Sequence, residues 1–235
     1  MLELQQVHTY YGQSHVLQGI SLGVAENEVV SLLGRNGAGK TTTIRTISGL
    51  TPPRAGRIRF QGREIAGAPP YAIFRMGVKL VPQGRRIFPG LTVQENLLLA
   101  LVGQPRGGKR RELERIYERF PILREREGQE AGSLSGGERQ ILAVARALLG
   151  ATALILLDEP SEGLAPLVVR SVMQTILEIR QKGVAVLLAE QNVKMALEIC
   201  DRHYIIDKGQ VRFSGRTDDI LRNEEILHGY LGVSA

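Results

Sequence analysis

A glycine-rich loop that contains a lysine and two threonines has the clearest chemistry in this sequence. It reads Gly34-Arg-Asn36-Gly37-Ala-Gly39-Lys40-Thr41-Thr42 and follows the apolar run Val29–Leu33. This spacing is that of the G-x4-G-K-[ST] loop, whose backbone N–H groups converge on phosphate oxygens. We expect Lys40 to reach the β- and γ-phosphates and the Thr41 hydroxyl to ligate Mg²⁺. The loop predicts a nucleoside triphosphate site; a glycine-rich turn without a ligand is the alternative that the flanking elements disfavour.

Two adjacent carboxylates, Asp158 and Glu159, follow a second apolar run, 153–157. Burying such charges without partners is costly, so their position at the end of a strand favours a chemical role beside the phosphates. We expect Asp158 to hold Mg²⁺ through water and Glu159 to position and deprotonate the attacking water. The alternative is that the pair merely begins a loop, with Pro160 ending the strand.

A second glycine motif lies far along the chain from the first. Ser135, Gly136 and Gly137 precede an apolar helical pattern, and Ser135 with Glu138 forms a capping box. A helix N-terminus behind two glycines can bind an anion. Because one triphosphate needs only one cradle, the second motif indicates a dimer.

The elements that must position these residues predict an α/β fold. Continuous apolar runs alternate with helical patterns, as expected for the buried strands of a mainly parallel sheet. We divide the chain into an antiparallel β subdomain with the phosphate loop (1–63), a core strand with a glutamine loop (64–88), an inserted helical subdomain with the signature (89–150) and the remaining core (151–235). Thr92 and Glu95 form a capping box at the start of the helical part, and 103–108 reads as a loop.

Composition excludes several classes of protein. A chain of 235 residues with 43% hydrophobic residues can bury a sizeable core, and no apolar run is long enough to span a bilayer. The N-terminus lacks the pattern of a secretory signal, and Cys200 is expected to be a packed hydrophobe in a reducing cytosol. The net charge of +6 permits an anionic partner, but the basic residues alternate with acidic ones and lack interleaved aromatics. We therefore expect no nucleic-acid partner.

The phosphate loop, the Leu134–Glu138 signature and the Asp158-Glu159 pair, in this order, resemble the ATP-binding subunit of ABC transporters. The resemblance covers nearly the whole chain and implies a P-loop NTPase-type fold, ATP and Mg²⁺ as ligands, and two subunits packed head to tail. Each ATP would then lie between one phosphate loop and the other subunit's signature. Two transmembrane permease subunits are implied as partners, which places the chain at the cytoplasmic face of the cell (inner) membrane.

The resemblance also implies roles for further residues. Tyr11 would stack on adenine, although a surface tyrosine is the alternative. Gln83 would touch Mg²⁺ or water and sense the transporter. The segment 84–90 would receive the membrane subunit, with Phe88 as its anchor unless Phe88 is a core residue.

Two positions depart from the family pattern. Gln191 occupies the place of a histidine that contacts the γ-phosphate; its amide can donate a hydrogen bond but cannot become a cation. Ala165 stands where an aspartate is common. We do not expect His203 to substitute for this histidine, and we expect His8, His15 and His228 to be surface or packing residues. Both departures favour a heterodimer with a second ABC ATPase subunit that carries the usual residues, with a homodimer as the alternative.

Three segments resemble the smaller ATPase subunit of branched-chain amino-acid importers, namely 82–89, 162–166 and 190–192, and the segment 226–232 also fits. Such importers also use an extracytoplasmic solute-binding protein, which would meet this chain only indirectly. Urea and short-amide importers use similar subunits. The motifs are also compatible with a lipid or lipopolysaccharide exporter ATPase, a DNA-associated ABC ATPase, and a nucleotide switch that does not hydrolyse. Glu159 disfavours the last of these.

Overall fold

The apolar runs of the sequence form the strands of two sheets. The computed structural model describes residues 1–84, 86–102, 106–223 and 225–231. In chain order the strands are β1 (Leu2–Tyr11), β2 (Ser14–Val24), β3 (Val29–Leu33), β4 (Ala55–Phe60), β5 (Arg63–Glu64), β6 (Val78–Val81), β7 (Leu154–Asp158), β8 (Ala185–Glu190), β9 (Arg202–Asp207) and β10 (Gln210–Gly215).

The helices lie between these strands, except α9, which follows β10. They are α1 (Lys40–Ile47), α2 (Pro70–Arg75), α3 (Val93–Leu99), α4 (Arg106–Arg119), α5 (Pro121–Glu125), α6 (Gly136–Leu148), α7 (Pro166–Gln181), α8 (Val193–Ile199) and α9 (Thr217–Leu221). A 3₁₀ turn spans Ala131–Ser133, and a π-helical segment spans Ile226–Leu231. Within the described residues, no helix is both long and apolar enough to cross a membrane.

The larger sheet has six strands in the order β10-β9-β3-β8-β7-β6, and its pairs are parallel except β10 with β9. Strands β3, β7 and β8 are buried along their whole length, which explains their continuous apolar runs. The carboxyl ends of β3, β6, β7 and β8 therefore meet at one edge of the sheet. This is the edge where α/β proteins place their ligands.

The N-terminal strands form a separate antiparallel sheet of order β2-β1-β4-β5. Its inward side chains, such as Leu4, Ile20 and Phe60, share one buried cluster with Ile44 and Ile47 of α1. The predicted antiparallel element beside a mainly parallel core is confirmed.

Helices α3 to α6 enclose a second hydrophobic cluster that includes Leu97, Tyr117, Leu123 and Leu142. Both predicted capping boxes are present. The Thr92 hydroxyl accepts a hydrogen bond from the Glu95 N–H, and the Ser135 hydroxyl accepts one from the Glu138 N–H. The α/β fold class with an inserted helical part is confirmed, while the boundaries drawn at 63, 88 and 150 stay predictions.

Some sequence predictions fall on residues outside the described part. These are residues 103–105 of the predicted loop, Arg85 of the 84–90 segment, and Gly232 of the C-terminal motif. The prediction of a loop as far as Gly108 is wrong at its end, because α4 begins at Arg106. Glycines cost less in a first helical turn, where the N–H groups lack intrahelical partners.

Candidate functional site

The phosphate loop joins the end of β3 to the start of α1, as its sequence predicts. Gly37 and Gly39 have φ values of 80° and 114°, which favour glycine over any residue with a Cβ. At Gly34 the restriction is space, since a Cβ there would lie 2.3 Å from the Ile206 carbonyl oxygen. The loop is therefore packed against β9 and holds its backbone in one shape.

Lys40 lies at the first turn of α1 and is 3% exposed. Its ammonium donates hydrogen bonds to the carbonyl oxygens of Gly34 (2.8 Å) and Arg35 (3.2 Å). It also forms an ion pair with Glu159, with 3.0 Å between Lys40 Nζ and Glu159 Oε1. The structure thus brings together the cation of the phosphate loop and the expected general base.

Thr41 and Asp158 are in direct contact across the sheet edge. The Thr41 hydroxyl donates a hydrogen bond to Asp158 Oδ1 at 3.0 Å. Burial raises the pKa of the Asp158 carboxyl above its ordinary value, and the Thr41 hydrogen bond opposes this shift in part. Hydroxyl and carboxylate oxygens are the hard donors that Mg²⁺ prefers, so this pair fits the ion that the sequence predicts.

Glu159 has a positive φ of 48°, an uncommon conformation for a residue with a side chain. Its N–H donates to the Ala189 carbonyl oxygen of β8 at 2.8 Å. This bond joins the chain immediately after β7 to the neighbouring strand. Such strained backbone is often retained at functional sites, where the surrounding structure fixes it.

Gln83 follows β6 and turns its amide toward two carboxylates. Its Nε2 lies 3.0 Å from Glu162 Oε2 and 3.4 Å from Glu159 Oε2. Gln83 therefore reaches the predicted catalytic region, where its amide links the loops after β6 and β7.

Lys40, Thr41, Gln83 and Glu159 border a cavity of about 410 Å³. Its lining includes one aromatic residue, Tyr11, whose ring is 44% exposed and whose hydroxyl lies 3.4 Å from Thr51 Oγ1. The other lining residues are Val16, Asn36, Gly37, Gly39, Lys40, Thr41, Thr42, Gln83 and Glu159. The cavity thus combines an exposed ring with the glycine-rich loop, the Lys40 ammonium and the Glu159 carboxylate.

The signature residues do not line this cavity. Ser135 is exposed at the start of α6, and the Gly136-Gly137 pair follows it. Gly137 is buried against α7, where a Cβ would lie 2.6 Å from Val168 Cγ1. A single chain therefore presents two separate glycine-bordered helix starts.

Gln191 also lies outside the cavity lining, and its side chain is exposed. The residue before it, Glu190, is 2% exposed and accepts hydrogen bonds from the N–H groups of Ser161, Gln191 and Asn192, each at 3.0 Å. Sequence reasoning gave Glu190 no role. Glu190, like Asp158, is an acidic residue at the end of a buried apolar run. This pattern is the signal that could have identified Glu190.

Asn96 is a second residue that the sequence patterns did not single out. It is fully buried, and its amide binds the Phe88 N–H and the carbonyl oxygens of Phe88, Leu91 and Thr92. Phe88 itself is 49% exposed, so it is not a core residue. A buried asparagine in an apolar helical stretch was the available signal.

A larger cavity of about 640 Å³ lies between α3, α4 and α5. Its lining mixes Lys109, Arg110 and Arg124 with Glu114 and Glu127. It lacks a glycine-rich loop and a strand end, so we assign the chemistry to the smaller cavity at the sheet edge.

The remaining histidine and cysteine predictions agree with packing roles. His203 is fully buried between the hydroxyls of Ser31 and Thr217, and Cys200 is buried. His8 and His15 contact each other with 3.0 Å between ring nitrogens. The side chain of His228 lies outside the described part of the chain.

Known proteins share this sequence and fold. The family model for "ABC transporter" matches residues 17–162. The chain is 40% identical over 232 residues to the high-affinity branched-chain amino acid transport ATP-binding protein BraG of Pseudomonas aeruginosa, covering 99% of this chain and 100% of BraG. It is 38% identical over 227 residues to the lipopolysaccharide export system ATP-binding protein LptB of Escherichia coli K12, covering 94% and 93% of the two chains.

A solved nucleotide-free ATP-binding cassette from an ABC transporter superimposes with a TM-score of 0.89 at 25% identity, covering 100% of this chain and 99% of that one. Sequence family and fold agree with the geometry of the sheet edge. The chain belongs to the ABC transporter family as an ATP-binding subunit that hydrolyses ATP to power transport.

Proposed function

We propose that this subunit energises the import of branched-chain amino acids. The observation that carries the proposal is the 40% identity to BraG over essentially the full length of both chains. A second relative, described as the probable branched-chain amino acid transport ATP-binding protein LivF of Archaeoglobus fulgidus, is 33% identical over 234 residues. Import by this route implies two permease subunits and an extracytoplasmic solute-binding protein, with this chain at the cytoplasmic face of the membrane.

In the proposed site, Tyr11 stacks on adenine and the backbone of 34–42 surrounds the phosphates. Lys40 is well placed for this role because its ammonium is already buried beside the loop. Mg²⁺ would be held by Thr41, Asp158 and Gln83. The ion would neutralise charge on the phosphate oxygens.

Glu159 is the proposed general base. The ion pair places Glu159 Oε1 3.0 Å from the ammonium of Lys40, the lysine proposed to bind the γ-phosphate. When a triphosphate takes over Lys40, Glu159 becomes free to orient and deprotonate a water molecule. General bases of this kind contribute about 10²- to 10⁴-fold to the rate.

The active unit is proposed to contain two ATPase subunits. Ser135, Gly136 and Gly137 lie outside the cavity of their own chain and offer a helix N-terminus to the phosphates bound by a partner. Gln191 stands in the place of the family's histidine, and Ala165 in the place of its common aspartate. We therefore propose a heterodimer in which the second subunit supplies a histidine and an aspartate. Gln83 and the segment 84–90, including Phe88, would receive the permease.

The test is reconstitution of this subunit with its cognate second ATPase, permeases and binding protein in proteoliposomes. Branched-chain amino acid with binding protein is expected to stimulate ATP hydrolysis and to enter the vesicles, whereas urea is expected to do neither. Stimulation by urea or a short amide alone would replace the proposed substrate with that class.

Lipopolysaccharide export is the second candidate, since LptB is 38% identical to this chain. Complementation distinguishes the two. The chain is expected to restore growth on limiting leucine in a strain that lacks its own importer ATPase, and not to rescue a strain depleted of LptB. Rescue of the second strain only would favour export.

The heterodimer has its own test. The purified chain alone is expected to hydrolyse ATP slowly, with cooperative turnover appearing when the second subunit is added. Full cooperative activity from this chain alone would support the homodimer instead.

A further inference from the structure

Glu190 joins two loops that lie far apart in the chain. It ends β8 and is 2% exposed. Its Oε1 accepts the N–H of Ser161, in the loop that follows Glu159, at 3.0 Å. Its Oε2 accepts the N–H groups of Gln191 and Asn192, each at 3.0 Å. One carboxylate therefore holds the loop after the proposed base and the loop of Gln191 together.

The carboxylate is compensated by these backbone donors. Within the described part of the chain, no cationic side chain forms an ion pair with Glu190. Backbone N–H groups that bind an ionised carboxylate form strong, charge-assisted hydrogen bonds. The burial of Glu190 therefore depends on both loops keeping their positions, and each loop depends on Glu190.

Both loops are also fixed on their far sides. Asn192 caps α8, with its side chain accepting the Met195 N–H at 3.1 Å. Glu159 is bonded through its N–H to Ala189, the neighbour of Glu190. A shift at Glu190 would therefore move Glu159 and Gln191 relative to each other.

We infer that Glu190 is a positioning residue for hydrolysis, which sets the Glu159 loop against the Gln191 loop without touching ATP. This inference rests on the proposed roles of Glu159 and Gln191. The coupling requires a carboxylate because its two oxygens each accept hydrogen bonds from a different loop. A glutamine has one acceptor oxygen and one NH₂ group, so it can serve only one of them.

The geometry predicts which loop a glutamine would release. In Glu190→Gln the amide oxygen is expected to face Gln191 and Asn192, where it keeps two bonds, and the NH₂ group then opposes the Ser161 N–H. Hydrogen exchange measured without nucleotide should show loss of protection at Ser161, with Gln191 and Asn192 still protected. Unchanged protection at Ser161 would overturn the inference whether or not the subunit transports amino acids.

Kinetics give the functional readout. Glu190→Gln is expected to lower kcat for ATP by about 10- to 100-fold through misplacement of the reacting groups, with KM within a factor of about two. A raised KM with unchanged kcat would contradict positioning. The matched control is Glu64→Gln, since Glu64 also accepts backbone N–H groups, from Ile58 and Ala66, in the remote antiparallel sheet; its kcat should equal that of the wild type.

Glu190→Asp provides a second variant should the glutamine variant not fold. Aspartate keeps the charge and can bond the N–H two residues on, but it is one methylene too short for Ser161. The same loss at Ser161 and the same fall in kcat are expected. All rates are compared in the assembly with the second ATPase subunit: an unchanged rate for Glu159→Gln there would refute the proposed role of Glu159, whereas a fully active Glu190→Asp chain with Ser161 released would refute only the inference.

Discussion

The ammonium of Lys40 and the carboxylate of Glu159 form a buried ion pair with 3.0 Å between Nζ and Oε1. One residue belongs to the phosphate loop and the other to the loop after β7, so the contact exists only because β3 and β7 end at the same sheet edge. In the proposed mechanism, ATP binding redirects Lys40, and this frees Glu159. The proposal thereby connects ATP binding and activation of Glu159 through one contact.

Replacement of the proposed base should separate binding from hydrolysis. Glu159→Gln is expected to lower the single-turnover rate by about 10²- to 10⁴-fold while MgATP affinity is kept or increased. Rapid-quench kinetics and equilibrium titration measure the two quantities. Glu198→Gln, which removes a carboxylate from the exposed face of α8, should behave as the wild type. Equal rates for the wild type and Glu159→Gln would remove Glu159 from the mechanism.

The Thr41 hydroxyl should determine the response to Mg²⁺. Thr41→Val keeps the side-chain shape but removes the donor to Asp158 and an oxygen ligand, whereas Thr41→Ser keeps the hydroxyl. ATP affinity of the wild type and of Thr41→Ser is expected to fall on removal of Mg²⁺ with EDTA. Calorimetry should show a much smaller response for Thr41→Val; a response as large as that of Thr41→Ser would argue against Thr41 as a ligand.

Asn96 should be important for stability and for the shape of the Phe88 segment. Asn96→Ala leaves the Phe88 N–H without a partner and removes one hydrogen bond from each of the carbonyl oxygens of Phe88, Leu91 and Thr92, so the free energy of unfolding should fall by about 2–4 kcal/mol. Urea denaturation measures this loss. Leu99→Ala on the exposed side of α3 should change it by less than about 0.5 kcal/mol, and a similar loss in both variants would be inconsistent with the assigned contacts.

His203 predicts a pH dependence of stability. Burial lowers the pKa of His203 to about 4, whereas an unfolded histidine binds a proton near pH 6.5. The stabilisation that a neutral His203 provides is therefore complete above pH 6.5 and declines as the pH falls toward 4, by up to roughly 3 kcal/mol. His203→Asn does not titrate, so the stability difference between the wild type and this variant should narrow on acidification. A difference in the free energy of unfolding that stays constant from pH 7.5 to 4.5 would contradict the lowered pKa of His203.

Local patterns were enough to predict the elements at the site. The phosphate loop required only its glycine spacing, and the Ser135 cap required only Glu138 three residues later. The antiparallel sheet followed from alternation, and the buried strands from unbroken apolar runs.

Contacts that depend on several distant segments could not be predicted in this way. The Glu190 carboxylate binds Ser161 because β7 and β8 are neighbours in a particular register, and no local pattern encodes that register. The same holds for Asn96 and the Phe88 segment. The start of α4 was missed because two glycines suggested a longer loop than the chain forms.

The central claim is that ATP is held between Lys40 of one subunit and the Ser135 helix start of another. Sedimentation of the Glu159→Gln chain with its second ATPase subunit tests this directly, with and without MgATP and with Ser135→Glu added to place a negative charge against the phosphates. The account predicts association that requires MgATP and is weakened at least about tenfold by Ser135→Glu. Association that is independent of MgATP, or unaffected by Ser135→Glu in a folded chain, would contradict it.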